Sequence, residues 1–299
     1  MNTYQQLIAR LEPLYGRREA KSIVLLVLES AFGLSLTDVV CGRLAAFSSA
    51  EAARLEQMMR RLEAHEPVQY VLGEAFFAGE RYRVEPGVLI PRPETEELCR
   101  WVVADEQAAG REPAAPGRLL DCCTGSGCIA ITLKKAFPGM RVEAVDVADA
   151  ALKVAGMNAA GLHADVEIRR QDVLRMPPGM PVYDVIVSNP PYVALSERAM
   201  MRPNVLGYEP EIALFVPDDD PLRFYRAIAR YGAEALRPGG RLYFEANPLF
   251  MEELEALLGR LGYRDLRTKA ACGSGNRLLK AVRGSAKNKM INQETPCDG

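Results

Sequence analysis

The chain has 299 residues, 48% hydrophobic and 25% charged, enough for one large globular domain and a smaller one with a real core. A formal net charge of −2 excludes a general attraction to phosphate backbones, so direct contact with nucleic acid is not expected. The longest apolar run, IVLLVL at 23–28, is too short to span a bilayer, and the N-terminus lacks a signal design, so no membrane association and a cytoplasmic location are expected.

Residues 1–72 read as helix throughout: YQQLIARLE, REAKSIVLLVLESAFG, a short SLTDVV, and SSAEAARLEQMMRRLEAH. Ser48 and Glu51 have the spacing of a capping box, which satisfies orphan N–H groups at a helix start. Leu55, Met58, Met59 and Leu62 then recur at helical spacing, a packing stripe, so the segment is predicted to be a small all-α bundle. In GEAFFAGERYRVEPGVLIPR (73–92), aromatic and β-branched residues flank an Ala-Gly turn, which predicts a β-hairpin connector. PETEELCRWVVADEQ (93–107) restores helical period, with Pro93 and three glutamates where a helix N-terminus favours proline and negative charge.

Beyond the Pro/Gly-rich loop 108–117 the rhythm becomes strand, helix, strand. Short apolar strands are predicted at RLLDCC (118–123), RVEAVD (141–146), DVEIRR (165–170), VYDVIVSN (182–189) and RLYFEA (241–246). Helices fill the gaps: IAITLKKAF, ADAALKVAGMNAAG, and DPLRFYRAIARYGAEALRPGG with its Pro-Gly-Gly stop. This alternation implies an α/β fold, a doubly wound and mostly parallel sheet with ligands at the carboxyl ends of its strands. The tail 283–299 is polar and without period, and disorder is expected there.

Seven cysteines, an odd number with Cys122, Cys123 and Cys128 crowded on one strand and loop, suit reduced thiols better than a disulfide framework. None is spaced as a zinc ligand set. His65 and His163 lie far apart in surface or capping contexts, and no metal is predicted.

DCCTGSGCIA (121–130) follows the first strand of the sheet and opens a helix, with Gly125 and Gly127 where backbone must turn tightly or lie against a ligand. Asp146 ends the next strand, spaced to accept hydrogen bonds from ribose hydroxyls. Alone, Gly125-x-Gly127-x-x-Ala130 also fits a dinucleotide fingerprint. Two details favour S-adenosylmethionine instead. Asp121, at the start of the loop, would repel a pyrophosphate and suit a sulfonium with an ammonium-bearing tail, and Asp172 stands where an adenine edge would be read.

VIVSNPPYV (185–193) places Asn189, Pro190, Pro191 and Tyr192 at the end of a buried strand. The prolines stop the sheet and stiffen what lies beside them. An amide nitrogen is a poor nucleophile because its lone pair is delocalised. The Asn189 side-chain carbonyl and the Pro190 backbone carbonyl could accept both of its N–H bonds and aim the lone pair, while Tyr192 offers a flat face to the planar group. No general base is needed when the methyl donor is already activated.

With these stretches the chain resembles the peptide chain release factor N5-glutamine methyltransferases, within the class I S-adenosylmethionine-dependent methyltransferases. The likeness is carried by EPVQYVLGEAFFAGERYRVEPGVLIPRPETEEL (66–98), the DCCTGSG loop, AVDVADAAL, VSNPPY and YEPEIALFVPDDDPLRFYR (208–226), and covers roughly residues 1–282. It implies a seven-stranded, Rossmann-like methyltransferase domain over 93–282, joined by the 73–92 hairpin to a substrate-docking helical domain over 1–72. Cys123, Thr124, Gly125, Ser126, Gly127 and Asp146 would hold the cofactor and Val173 would touch adenine. Asn189 would meet both cofactor and substrate, and Asn189 to Tyr192 would bind the glutamine of the Gly-Gly-Gln motif of release factors. The protein is expected to act as a monomer.

Three departures from the family's pattern stand out. Cys123 replaces a usual glycine, YFEANPLF (243–250) replaces the usual Glu-Ile/His-Gly run, and AACGSGNRLLKA (270–281) lacks a common Asp; the last two are expected to lie away from the methyl path. An N6-adenine DNA or RNA methyltransferase shares the Asn-Pro-Pro-Tyr logic but normally brings a basic surface. A glutamine methyltransferase of a ribosomal protein would have a nearly identical pocket. A binding module without chemistry would require a damaged site, and a dehydrogenase lacks a hydride-transfer acid here.

Overall fold

The computed structural model describes residues 3–180, 182–271, 275 and 277–284. The N-terminal region is helical, as the capping signals predict. Helix α1 (Tyr4–Phe32) consists of two helices meeting at Gly16, whose φ of 73° and ψ of 156° leave the helical path. Helices α2 (Leu36–Val40) and α3 (Ser49–Glu63) each begin with a capping box, Ser35 with Asp38 and Ser48 with Glu51. Leu55, Met58, Met59 and Leu62 of α3 pack into one cluster with Leu7, Leu11 and Val27 of α1. Arg10 adds bonds to Glu56 and Glu63 at 2.6 and 2.7 Å across the same interface.

After the short helix α4 (Val68–Leu72), β1 (Glu74–Phe77) and β2 (Glu80–Arg83) form the expected hairpin. Ala78 and Gly79 both have positive φ, 50° and 82°, the handedness that matches the twist of the two flanking strands. Phe77 and Tyr82 insert into the main core, so the connector is anchored rather than loose.

Helix α5 (Pro93–Ala108) starts on proline, with Glu94 and Glu96 in its first turn. The sheet follows: β3 (Gly117–Cys122), α6 (Cys128–Ala136), β4 (Met140–Asp146), α7 (Asp149–Gly161), β5 (Val166–Arg170) and β6 (Tyr183–Ser188). A short pair, β7 (Val193–Ala194) with β8 (Phe215–Val216), brackets α8 (Pro203–Leu206) and α9 (Glu211–Leu214). Helix α10 (Arg223–Ala235), β9 (Leu236–Ala246), α11 (Met251–Arg260), β10 (Tyr263–Ala270) and β11 (Arg277–Arg283) complete the chain.

The sheet has seven strands in the order β10-β11-β9-β6-β3-β4-β5, parallel from β9 to β5 and antiparallel across β11 and β10. From β3 the chain winds outward through β4 and β5, then returns to the other side of β3 as β6. The crevice at the carboxyl ends of β3 and β6 is therefore the topological switch point, where open α/β sheets bind ligands. Core residues cover both faces: Leu119, Val185 and Val187 on the α5/α6 side, Leu120, Cys122 and Ile186 on the α10/α11 side.

Three sequence expectations are corrected. Pro238-Gly239-Gly240 does not stop α10, which ends at Ala235; it lies in a bulge of β9, where residues 237–240 stand opposite Asp184 alone. Strand β10 escapes the pattern of short apolar runs because RDLRTK in its middle is exposed along most of its length, and β11, although mostly buried, is added beside it. Arg283 pairs with Tyr263 and closes β11 rather than opening a tail; the remainder of the expected tail, 285–299, lies outside the described residues. Both histidines are capping residues: His65 (φ 64°) and His163 (φ 54°) follow the last turns of α3 and α7 in the left-handed conformation.

Candidate active site

A cavity of about 380 Å³ opens at the switch point. Its wall joins the loop after β3 (Cys123, Thr124, Gly125, Ser126), Asp146 at the end of β4, Asp172 and Val173 after β5, and Asn189 and Pro191 after β6. Val88, Pro91 and Arg92 enter from the segment leading into α5 and Thr95 from its first turn, and Ile212, Phe215, Arg223 and Phe224 from the far side.

The glycine loop is held from behind. The Thr124 N–H donates to Val145 O at 3.0 Å and the Gly127 N–H to Thr124 O at 2.9 Å, which closes the turn. Asp146 takes the Gly125 N–H on one carboxylate oxygen at 2.9 Å and the Ala148 N–H on the other at 3.0 Å, so it is fixed in the wall between two backbone donors. Gly125 has φ 55°, and a Cβ built on it meets no protein atom within 4 Å. Gly125 is itself one of the residues that line the cavity. Asn158, buried in α7, donates to Ser126 O at 2.8 Å and to Arg83 O at 3.0 Å, tying the loop to the end of the hairpin.

Four of the residues expected in the site do not line the cavity among the described residues: Asp121, Gly127, Pro190 and Tyr192. Asp121 points from β3 toward α6, on the side of Leu119, and is fully buried. One of its oxygens accepts from Thr124 Oγ1 at 2.6 Å and from the Ala130 N–H at 3.2 Å, and the other has no partner among the described residues. Burial pushes its carboxyl up to about 7, against the pull of those two donors. Its visible task is to brace the loop against α6, not to face a cationic tail. Gly127 starts α6 with φ 82°; a Cβ there would meet Ile131 and Ala155 at 3.1 to 3.3 Å, so glycine lets α6 close on α7. Pro190 is buried beside the wall, and Tyr192 stands next to it, half-buried against the α10/α11 core.

Cys123 has φ 59°, a left-handed conformation that costs a side chain about 1–2 kcal/mol and that glycine takes freely, a physical reason for the glycine that the resemblance leads one to expect here. Burial drives its thiol well above the ordinary value and pushes that of Cys128 up to about 12. Neither thiol is a nucleophile near neutral pH. The described lining residues include no histidine or lysine, and Asp146 and Asp172 are both engaged with backbone N–H groups, Asp172 capping Leu174 N at 2.9 Å. The cavity therefore suits reactions driven by placement rather than by proton abstraction.

The ledge at the end of β6 is built as its prolines predict: the strand stops at Ser188. The Asn189 amide nitrogen donates to Thr95 Oγ1 at 3.0 Å, and Thr95 Oγ1 donates to Glu245 Oε2 at 2.6 Å. Tyr192 gives its hydroxyl proton to Glu245 Oε1 at 3.0 Å, and Asn247 Nδ2 donates to Tyr192 O at 3.2 Å. Glu245 and Asn247 belong to YFEANPLF, the run expected to lie away from the methyl path; neither lines the cavity among the described residues, but both are bonded to the ledge from behind. Thr95 and Glu245 do not stand out as partners in the sequence, where they are 150 residues apart; the one signal is a Thr inside PRPETE and a Glu inside an otherwise apolar stretch of strand.

Arg92 enters the wall paired with the buried Glu209 at 2.5 Å, and Glu209 also accepts the Ile90 N–H at 3.3 Å. The adjacent Tyr208 hydroxyl donates to Ala64 O at 2.7 Å, linking this wall to the helical domain.

Comparison with known proteins adds three kinds of match. The "PrmC N-terminal domain" family model matches residues 2–73 and the "Methyltransferase small domain" model matches residues 110–203. A release factor glutamine methyltransferase from Bacteroides thetaiotaomicron is 44% identical over 274 residues, covering 91% of this chain and 96% of the relative. One from Flavobacterium psychrophilum is 35% identical, covering 93% and 97%. Among solved structures, a methyltransferase from Pyrococcus furiosus superposes with a TM-score of 0.51 at 17% identity, over 80% of this chain and 100% of that one, a likeness of fold.

Proposed function

The chain belongs to the release factor glutamine methyltransferase family, and on that premise we propose that it moves a methyl group from S-adenosylmethionine to the side-chain amide nitrogen (N5) of a release-factor glutamine, the one in the Gly-Gly-Gln motif. The observation that carries the reading is the Asn189 amide, held at the cavity wall by its NH₂ end with its carbonyl oxygen left for a substrate.

The residues present fit the cofactor. Gly125 leaves room for a ligand against its backbone, Asp146 presents carboxylate lone pairs where a ribose diol would lie, and the buried side chain of Val173 offers an apolar wall to an adenine ring. Cys123, Thr124 and Ser126 would flank the methionine part. S-adenosylmethionine, when bound, supplies a methyl group already activated by its sulfonium.

What remains for the protein is placement. Asn189 Oδ1, at the cavity wall, accepts one N–H of the glutamine amide; the Pro190 carbonyl and the Tyr192 ring, which stand beside the wall rather than in it, would take the other N–H and the planar face of an amide seated on the ledge, so that the nitrogen lone pair faces along the cavity. Placement of this kind is worth on the order of 7–11 kcal/mol for well-oriented reactants. The rigid prolines keep the cost of ordering low.

In this reading the protein works as a cytoplasmic monomer on release factors, with residues 1–72 docking the protein substrate and no contact with nucleic acid; the slight net negative charge is in keeping with that. The test is to incubate the protein with labelled methyl donor and intact release factor, then locate the label by peptide mass analysis. Label on the glutamine of Gly-Gly-Gln is expected. Label on another residue, or transfer that needs added RNA, contradicts the reading.

A further inference from the structure

We propose that Thr95 and Glu245 are positioning residues for methyl transfer, fixing which end of the Asn189 amide faces the substrate. The inference rests on the reading of Asn189 as an acceptor given above.

An asparagine amide has two ends of nearly equal shape and opposite hydrogen-bonding character. With its NH₂ end toward the cavity, Asn189 would set two donors against the donors of the glutamine amide and leave only the Pro190 carbonyl to orient the nucleophile. Packing distinguishes the two ends poorly. A hydrogen-bonding partner of fixed polarity does.

Thr95 is that partner. Its hydroxyl has one proton, donated to Glu245 Oε2 at 2.6 Å, and a hydroxyl whose proton is committed offers only lone pairs to a second neighbour. The neighbour is the Asn189 amide at 3.0 Å, which must turn its NH₂ end to Thr95. The carbonyl end is then the one left for the cavity. Glu245 is fully buried and also accepts the Tyr192 hydroxyl at 3.0 Å, so one carboxylate sets both Asn189, through Thr95, and Tyr192 directly.

The relay is stiff because α5 is docked along alternate residues of β9. Thr95 meets Glu245, Trp101 packs edge-on against Tyr243 at 6.0 Å, the Tyr243 hydroxyl donates to Asp105 at 3.0 Å, and Arg241 pairs with Glu106. Residues 241, 243 and 245 share one face of the strand, and the helix register that satisfies the first two delivers Thr95 to the third.

The test is a double-mutant cycle. Thr95→Val keeps the shape and removes the hydroxyl; kcat with intact release factor should fall on the order of 10–100-fold, the cost of losing an orienting outer-shell partner at metal sites. KM and the affinity for S-adenosylmethionine, read by calorimetry, should stay within a few-fold. Thr95→Ser, which restores the hydroxyl, should recover most of the rate. Glu245→Gln should lose rate as Thr95→Val does, because its amide can donate to Thr95 and so release the hydroxyl proton toward Asn189. In an Asn189→Ala background, Thr95→Val should cost nothing further. A full second loss there, or wild-type kcat in Thr95→Val while Asn189→Ala is impaired, overturns the relay. Wild-type turnover by Asn189→Ala would remove the acceptor reading itself, and the relay with it.

Discussion

Asp121 gives the sharpest stability prediction. Its carboxyl is fully buried at the end of β3, with one oxygen bonded to Thr124 and Ala130 and the other without a partner among the described residues. Burial raises it from 3.8 to about 7. In that window the folded protein keeps a proton that the unfolded chain has released, so folding binds more protons and stability must fall as pH rises. The contribution is fully present below 3.8 and gone above about 7; at about 1.4 kcal/mol per pH unit it amounts to about 4 kcal/mol. Asp121→Asn is neutral at every pH and keeps an acceptor for Thr124 and Ala130. Urea unfolding of both proteins at a series of pH values should show the variant gaining on the wild type by about that amount between pH 4 and 7, as groups common to both cancel. Parallel stability curves would refute the reasoning.

Other substitutions test the loop and the helical domain. Gly127→Ala puts a Cβ into a left-handed position against Ile131 and Ala155 and should cost at least about 2 kcal/mol by urea unfolding; an unchanged midpoint would show that α6 and α7 yield there. Cys123→Gly releases about 1–2 kcal/mol of backbone strain and returns about 0.4–1 in chain entropy plus the loss of a half-buried thiol. Its stability should therefore stay within about 1 kcal/mol of the wild type, and a far larger loss would mean that the thiol carries structure. Removing residues 1–72 should raise KM for intact release factor more than for a short Gly-Gly-Gln peptide; equal kinetics on the intact substrate would end the docking role.

Much of the frame could be read from local chemistry. The capping boxes at Ser35 and Ser48, the Ala78-Gly79 turn, the proline that opens α5 and the ends of β3, β4 and β6 are each set by neighbours in sequence. The direction of Asp121 was not legible. A strand buried on both faces gives no polar side to read, so the residue could face ligand or helix, and only the docking of α6 decides. The bulge at 237–240 is indistinguishable in sequence from a helix stop, because Pro-Gly-Gly has the same local signature in either setting. The Thr95–Glu245 bond was invisible for a different reason: it depends on the register of α5 against β9, which only the folded chain sets. Arg92 and Glu209 were hidden in the same way, as a pair 117 residues apart.

The central claim is that the Asn189 carbonyl orients a neutral amide nitrogen for methyl transfer. Its most direct measurement is the single-turnover rate of Asn189→Ala on intact release factor, with cofactor affinity determined in parallel. A fall on the order of 10²–10³, the cost of one preorganised hydrogen-bonding group at a reacting centre, with nearly unchanged cofactor affinity, is predicted. A rate equal to that of the wild type would contradict it.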